Sequence, residues 1–269
     1  MKTAVIVTTY NRPDALAAVL EGYQAQTTQD FELLVADDGS TADTRKVIDD
    51  FRRRAAFPVN HVWHEDRGFR AAAIRNRAAA TTRVDYIIFS DGDCVPVRDF
   101  VARHQQLAER GWFVAGNRIL LDDAFTQRAL RDALPLHKFG NLSWLLAWLK
   151  RDINRWLPLL RLPDGNWRRS APQRWEGVKT CNLAVWRDDL QRVNGLDETY
   201  SGWGLEDSDL VIRLLHAGIQ HKNGRFATPV FHLWHAENDR SRLAENQRRL
   251  DTLLESKQTR AALGLDQYA

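Results

Sequence analysis

The chain has 269 residues, of which 44% are hydrophobic and 27% charged, enough to bury one sizeable core with at most one appended subdomain. A net charge of +3 gives no global field that would demand nucleic acid or another polyanion, and the pI of about 9.0 leans only mildly toward acidic partners such as nucleotide phosphates or lipid head groups. Two cysteines without CxxC spacing, Cys94 and Cys181, make no disulfide framework and fit a reducing cytoplasm; the opening apolar run stops at Thr8, too short for a signal peptide, and no run approaches the roughly 18 apolar residues of a membrane span.

In chain order, residues 4–8 read as a short buried strand. Residues 13–24 follow as a helix, with Asn11 placed to cap it and Pro13 in its first turn. Residues 31–36 form a second strand closed by Asp37-Asp38-Gly39-Ser40, and residues 44–54 a second helix. A third strand at 59–63, an Ala- and Arg-rich helix at 69–80 and a fourth strand at 86–90 complete an alternating pattern. Such alternation predicts an α/β fold with a mostly parallel sheet flanked by helices. Ligands bind outside the carboxyl ends of such strands, which draws residues 8–12, Asp37-Asp38 and Asp91-Gly92-Asp93 together.

Residues 120–175 change character. Leu142, Leu145, Leu146, Leu149, Ile153, Trp156 and Leu160 recur at helical spacing until Pro158 interrupts, with Lys150, Arg151, Asn154 and Arg155 on the other face. Compact α/β character resumes after residue 176, and 237–269 is a charged, helix-prone tail. The expected division is therefore 1–119, a helical insertion at 120–175, 176–236, and the tail at 237–269.

Four clusters carry chemistry. Asp91-Gly92-Asp93 at a strand end can hold a hard divalent cation that bridges a diphosphate. A carboxylate of Asp37-Asp38 can accept the N–H of a uracil-like base. Arg67, Arg70 and Arg75 can clamp phosphates, because a guanidinium matches a diphosphate in shape and charge. In Gly202-Trp203-Gly204-Leu205-Glu206-Asp207-Ser208-Asp209, a tryptophan offers the face a sugar ring stacks on. Glu206 and Asp207 follow at a helix start, whose dipole favours ionised carboxylates and hence a general base. Either His232 or His235, at the end of the last strand-like segment, can complete a metal shell.

Together these residues resemble the GT-A fold glycosyltransferases of family 2. The resemblance covers residues 5–97 through Thr8-Thr9-Tyr10-Asn11-Arg12-Pro13, Asp37-Asp38-Gly39-Ser40, Arg75-Asn76 and Asp91-Gly92-Asp93. Residues 176–235 resemble a galactosyltransferase-type acceptor module through Lys179-Thr180-Cys181-Asn182, Val193-Asn194-Gly195-Leu196-Asp197-Glu198 and the octet at 202–209. The resemblance implies a GT-A, Rossmann-like domain, a UDP-sugar donor, Mn²⁺ or Mg²⁺, and an inverting transfer to an oligosaccharide or glycolipid, as in bacterial surface polysaccharide or lipopolysaccharide synthesis. It assigns the nucleoside to Thr8 to Arg12 and Asp38, with Asp37 as a possible second contact. The metal falls to Asp93 with Asp91 and Gly92 beside it, the acceptor to Trp203, Gly204, Glu206 and Asn182, and the base to Asp207. Two other readings compete. A nucleotidyltransferase would carry a Gly-rich basic signature near its first strand, and residues 8–13 have no glycine. A non-catalytic sugar- or nucleotide-binding module would not need Glu206-Asp207. The Trp-rich insertion has two readings of its own: an apolar stripe packed on the enzyme core, or an interfacial helix on the anionic cytoplasmic face of the inner membrane.

Overall fold

The computed structural model describes residues 1–237 and 239–268. Strand β1 (Thr3–Thr9), helix α1 (Pro13–Gln24), β2 (Glu32–Asp37), α2 (Ala42–Arg52), β3 (Val59–Trp63), α3 (Ala71–Thr81) and β4 (Tyr86–Asp91) follow the alternation expected of the first third. Short β5 (Cys94–Pro96), α4 (Phe100–Leu107), β6 (Trp112–Ala115), β7 (Asn117–Leu120), α5 (Asp123–Arg131) and α6 (Asn141–Leu149) come next. The chain closes with β8 (Asn182–Trp186), α7 (Arg187–Arg192), α8 (Glu206–His216), β9 (Gln220–Asn223), β10 (Pro229–His232) and α9 (Leu243–Glu255).

The main sheet has seven strands in the order β3-β2-β1-β4-β8-β6-β9. β1, β2, β3 and β4 run parallel, as does the β6–β9 pair, while β8 runs antiparallel to both β4 and β6. Strands from both ends of the chain thus share one sheet. Alternation of side chains along each strand divides the core in two. Val5, Val7, Val35 and Ile88 meet α1 and α2, whereas Ala4, Ile6, Leu34, Ile87 and Phe89 meet α3 and α8. A second sheet, β5-β10-β7, packs beside the first and carries the end of β10 back to the turn after β4.

Asn11 does not cap α1. It lies in left-handed backbone at φ 47°, its N–H donates to Ser40 Oγ, and its side chain accepts from the Thr41 N–H at 2.9 Å. It therefore ties the β1 loop to the β2 loop, while α1 begins with Pro13 at N1, where the missing N–H costs nothing.

The stripe expected to run from 142 to 160 is helical only to Leu149. Arg151 takes left-handed backbone at φ 64°, and the N–H groups of Arg151 and Asp152 return to the carbonyls of Trp148 and Ala147, a Schellman-type stop. Beyond it Ile153 is buried and bridges to Leu121. Within α6 the faces are also apportioned unexpectedly. Trp144 and Ala147 are buried, Trp144 stacking on Phe231 at 4.0 Å, while Leu142, Leu146 and Leu149 face outward. No helix among the described residues is long and apolar enough to cross a membrane.

Candidate active site

The parallel strands end side by side. Thr8 stands opposite Ala36 of β2 and Asp91 of β4, and Thr9 opposite Asp37. A cleft of about 820 Å³ opens over these ends and is also lined by Arg118, Lys179, residues 203–207 and residues 234–237. That volume suits a ligand of nucleotide-sugar size.

One wall gathers Asp93, His232 and His235. β10 pairs with β5 so that His232 faces Cys94, and the Leu233 N–H donates to the Asp93 carbonyl at 2.8 Å. This pairing brings Asp93 Oδ2 within 3.5 Å of His235 Nε2 and 3.8 Å of His232 Nε2. Oxygen and nitrogen donors at about 2.1 Å from one ion stand about 3–3.4 Å apart, so Asp93 with either histidine comes near that spacing, and Asp93, Cys94 and His232 gather their donor atoms within 4.8 Å of one another. Burial lowers the pKa of His232, which leaves its ring neutral and able to ligate. Gly92 is required by close approach, since a β-carbon there would lie 2.9 Å from Thr9 Oγ1.

The other wall is the start of α8. Gly204 at φ 106° and Leu205 at φ 78° reverse the chain in left-handed backbone just before Glu206 and Asp207, a strained turn at the mouth of the cleft. Asp207 Oδ1 accepts from the Ser208 N–H at 2.8 Å and lies 3.4 Å from Lys179 Nζ. Glu206 behaves differently from the ionised carboxylate expected at a helix N-terminus. Burial, then the neighbouring Asp207, pushes its pKa up to about 7 against the opposing pull of Arg75. Its Oε2 is buried without a hydrogen-bond partner among the described residues. Trp203 lines the cleft beneath Arg240, whose guanidinium sits 5.3 Å from the ring centre.

Arg75 joins the two walls. It is only 4% exposed and donates to Thr8 Oγ1 at 2.9 Å, to Asp91 Oδ1 at 2.8 Å and to Glu206 Oε1 at 3.4 Å. Its guanidinium is therefore engaged by carboxylates, not held free to clamp a phosphate. Asp91 is correspondingly turned toward Arg75, leaving Asp93 to face the two histidines.

On the donor side, Asp38 lines the cleft. Its Oδ1 lies 2.6 Å from His64 Nε2, its Oδ2 accepts from the Arg70 N–H at 2.8 Å, and burial raises its pKa. Thr8, Thr9, Tyr10 and Arg12 line the same space.

Several expected residues do not reach it. Asp37 is fully buried, accepts from the Ser40 N–H at 2.8 Å and sits 2.9 Å from His61; these bonds outweigh burial and hold its carboxyl below the usual range. Arg67 pairs with Glu65 in solvent, and the Arg70 side chain turns to the Glu65 carbonyl. Asn182 faces inward, donating to the carbonyls of Asn117 and Thr228 and lying 3.0 Å from His104 Nε2, so it is a core linchpin and not an acceptor contact. Its neighbours Lys179, Thr180 and Cys181 line the cleft in its place. Arg118 and Lys179 were not foreseen as individual lining residues. Arg118 carries no local sequence signal, because only the pairing of β7 with β10 brings it there.

The glycosyl transferase family 2 model matches residues 4–161, and a second model, described as the N-terminal domain of galactosyltransferase, matches residues 168–236. A validoxylamine A glucosyltransferase of Streptomyces hygroscopicus subsp. jinggangensis is 29% identical over 225 residues, covering 80% of this chain and 52% of that protein. The hyaluronan synthase of Pasteurella multocida is 29% identical over 238 residues, covering 80% of this chain and 23% of the synthase. The chain thus spans about half or less of the length of these relatives. Among solved structures, S. aureus TarS 1–349 in complex with UDP superposes with a TM-score of 0.63 at 14% identity, over 100% of this chain and 68% of that one. The mannosyltransferase PcManGT of Pyrobaculum calidifontis, in complex with GDP-Man and Mn²⁺, gives 0.58 at 18% identity, over 92% and 60%. With its mixed sheet, its cleft at the strand ends and a family match over more than half its length, the chain belongs to glycosyl transferase family 2.

Proposed function

We propose that this enzyme transfers a hexose or N-acetylhexosamine from a UDP-sugar to a carbohydrate acceptor, with inversion and with a divalent cation, in the synthesis of a surface polysaccharide or lipopolysaccharide. The observation that carries the proposal is the pairing of a cation-ready wall, Asp93 with His232 and His235, with a carboxylate wall, Glu206 and Asp207, across one cleft. TarS has been solved with UDP and with UDP-GlcNAc, which supports a UDP donor.

Asp38 is placed to accept the N–H of the base, its carboxylate fixed by His64 and the Arg70 N–H. Asp93, His232 and His235 would hold the cation, and two imidazoles beside one carboxylate favour Mn²⁺ over the harder Mg²⁺. Such a cation would neutralise charge growing on the departing diphosphate. Trp203 offers the acceptor ring a face. Glu206, protonated through much of the neutral range, can donate to or accept from an acceptor hydroxyl through its unpartnered Oε2. Asp207 takes the proton of the attacking hydroxyl, with Lys179 Nζ 3.4 Å from its Oδ1. The transition state is oxocarbenium-like, as in glycoside chemistry generally.

The test is UDP release from a panel of UDP-hexoses and UDP-N-acetylhexosamines, with chelator and after adding Mn²⁺ back. Release that stops in chelator and returns with Mn²⁺ is expected. Release unaffected by chelator, or supported only by a differently linked donor, would overturn the proposal.

A further inference from the structure

The outward face of α6 is not absorbed by the catalytic account. Leu142, Leu146 and Leu149 fall at i, i+4 and i+7 on one side of the helix and are 69%, 49% and 63% exposed, with Trp148 at 41% beside them. The inward side is satisfied by Trp144 and Ala147, and the apolar stripe is left exposed among the described residues. Around it stand Lys138, Lys150, Arg151 and Arg155, all exposed and none within 4 Å of a carboxylate among the described residues. The one acid in residues 133–163, Asp152, is taken by Arg128.

From these features we infer that α6 is a docking face for an anionic lipid surface. A nine-residue helix cannot span a bilayer, but it can lie in the head-group plane with leucines and tryptophan in the acyl boundary and the cations on anionic head groups. A second copy of the chain fits the face poorly. Two-fold packing would set the unneutralised cations against themselves, and one short helix buries too little area for a stable dimer. Trp144 fixes α6 to Phe231, the residue before His232, so the docking face is rigidly joined to the strand that ends in the candidate metal site. The inference rests on this surface alone and stands or falls separately from the choice of donor sugar.

The test is flotation of the whole chain with vesicles of phosphatidylcholine and phosphatidylglycerol, or of phosphatidylcholine alone. The wild type floats with the anionic vesicles and stays down with the neutral ones. The triple variant Leu142→Ser, Leu146→Ser, Leu149→Ser, checked by thermal melting, stays down with both. The surface pair Lys150→Gln, Arg155→Gln lowers partition on the order of 20-fold, about fivefold per cation, and discriminates even if the triple variant melts early. A wild type that does not float, a pair variant that floats as well as wild type, or a stripe-dependent dimer in sedimentation without flotation would overturn the inference.

Discussion

Replacing Arg75 with methionine removes the charge that joins the two walls while keeping most of the side-chain bulk. Breaking a buried ion pair costs roughly 3–5 kcal/mol, because the orphaned carboxylate stays out of water. Here two carboxylates are orphaned, yet their side chains differ in exposure, 10% for Glu206 and 30% for Asp91, so solvent screens the second. The expected loss is therefore at the lower end, about 3 kcal/mol at pH 8. That corresponds to a drop of about 6–9 °C in melting temperature for a chain of this size. The loss is pH-dependent, and its sign follows from Glu206. Its folded-state pKa of about 7 lies above the 4.5 of an exposed glutamate, so folding takes up a proton between those values and stability falls as pH rises across that window. Without Arg75 the carboxyl is pushed higher still. At pH 5 it is protonated in the folded variant, and the penalty shrinks to about 1 kcal/mol or less. Urea unfolding of both proteins at pH 5 and pH 8 measures this. A deficit of equal size at both pH values, or one below about 1 kcal/mol at pH 8, would refute the electrostatic reasoning.

Asn182→Ala is expected to cost about 1–3 kcal/mol by orphaning the Asn117 and Thr228 carbonyls, with the acceptor KM unchanged in the folded fraction; denaturant melts and acceptor titrations separate the two. Arg151→Gly is expected to stabilise the protein by about 0.5–1 kcal/mol, since relief of left-handed strain outweighs the glycine entropy cost, and a rise in melting temperature reads it out. Asp38→Asn leaves one acceptor oxygen where the carboxylate had two, so UDP affinity should fall about tenfold in calorimetric titration of the folded protein.

Much of the fold can be read from the sequence, because the strands announce themselves by apolar runs ended at Thr8, Asp37 and Asp91, and the connecting helices by their period. The meeting of Asp91-Gly92-Asp93 with His232 and His235 was legible as chemistry, but not which histidine; the antiparallel β5–β10 pairing brings both. Arg75 reads as a free phosphate ligand because its second carboxylate partner, Glu206, is 131 residues away. Asn182, expected at the acceptor, is one residue of register from the cleft: Cys181 lines it, and the next side chain along the chain points the other way. The end of α6 has no glycine or proline to mark it, only an arginine forced into left-handed backbone. Periodicity reveals that α6 has an apolar stripe but not that the stripe faces outward, which tertiary packing around Trp144 decides.

The central claim is that Asp207 acts as base on a hydroxyl held across the cleft from a cation at Asp93. Single-turnover transfer by Asp207→Asn, at saturating UDP-sugar and Mn²⁺, tests it most directly. Donor affinity near that of the wild type is expected, with the transfer step slowed on the order of 10²-fold or more. Transfer at close to the wild-type rate would contradict it.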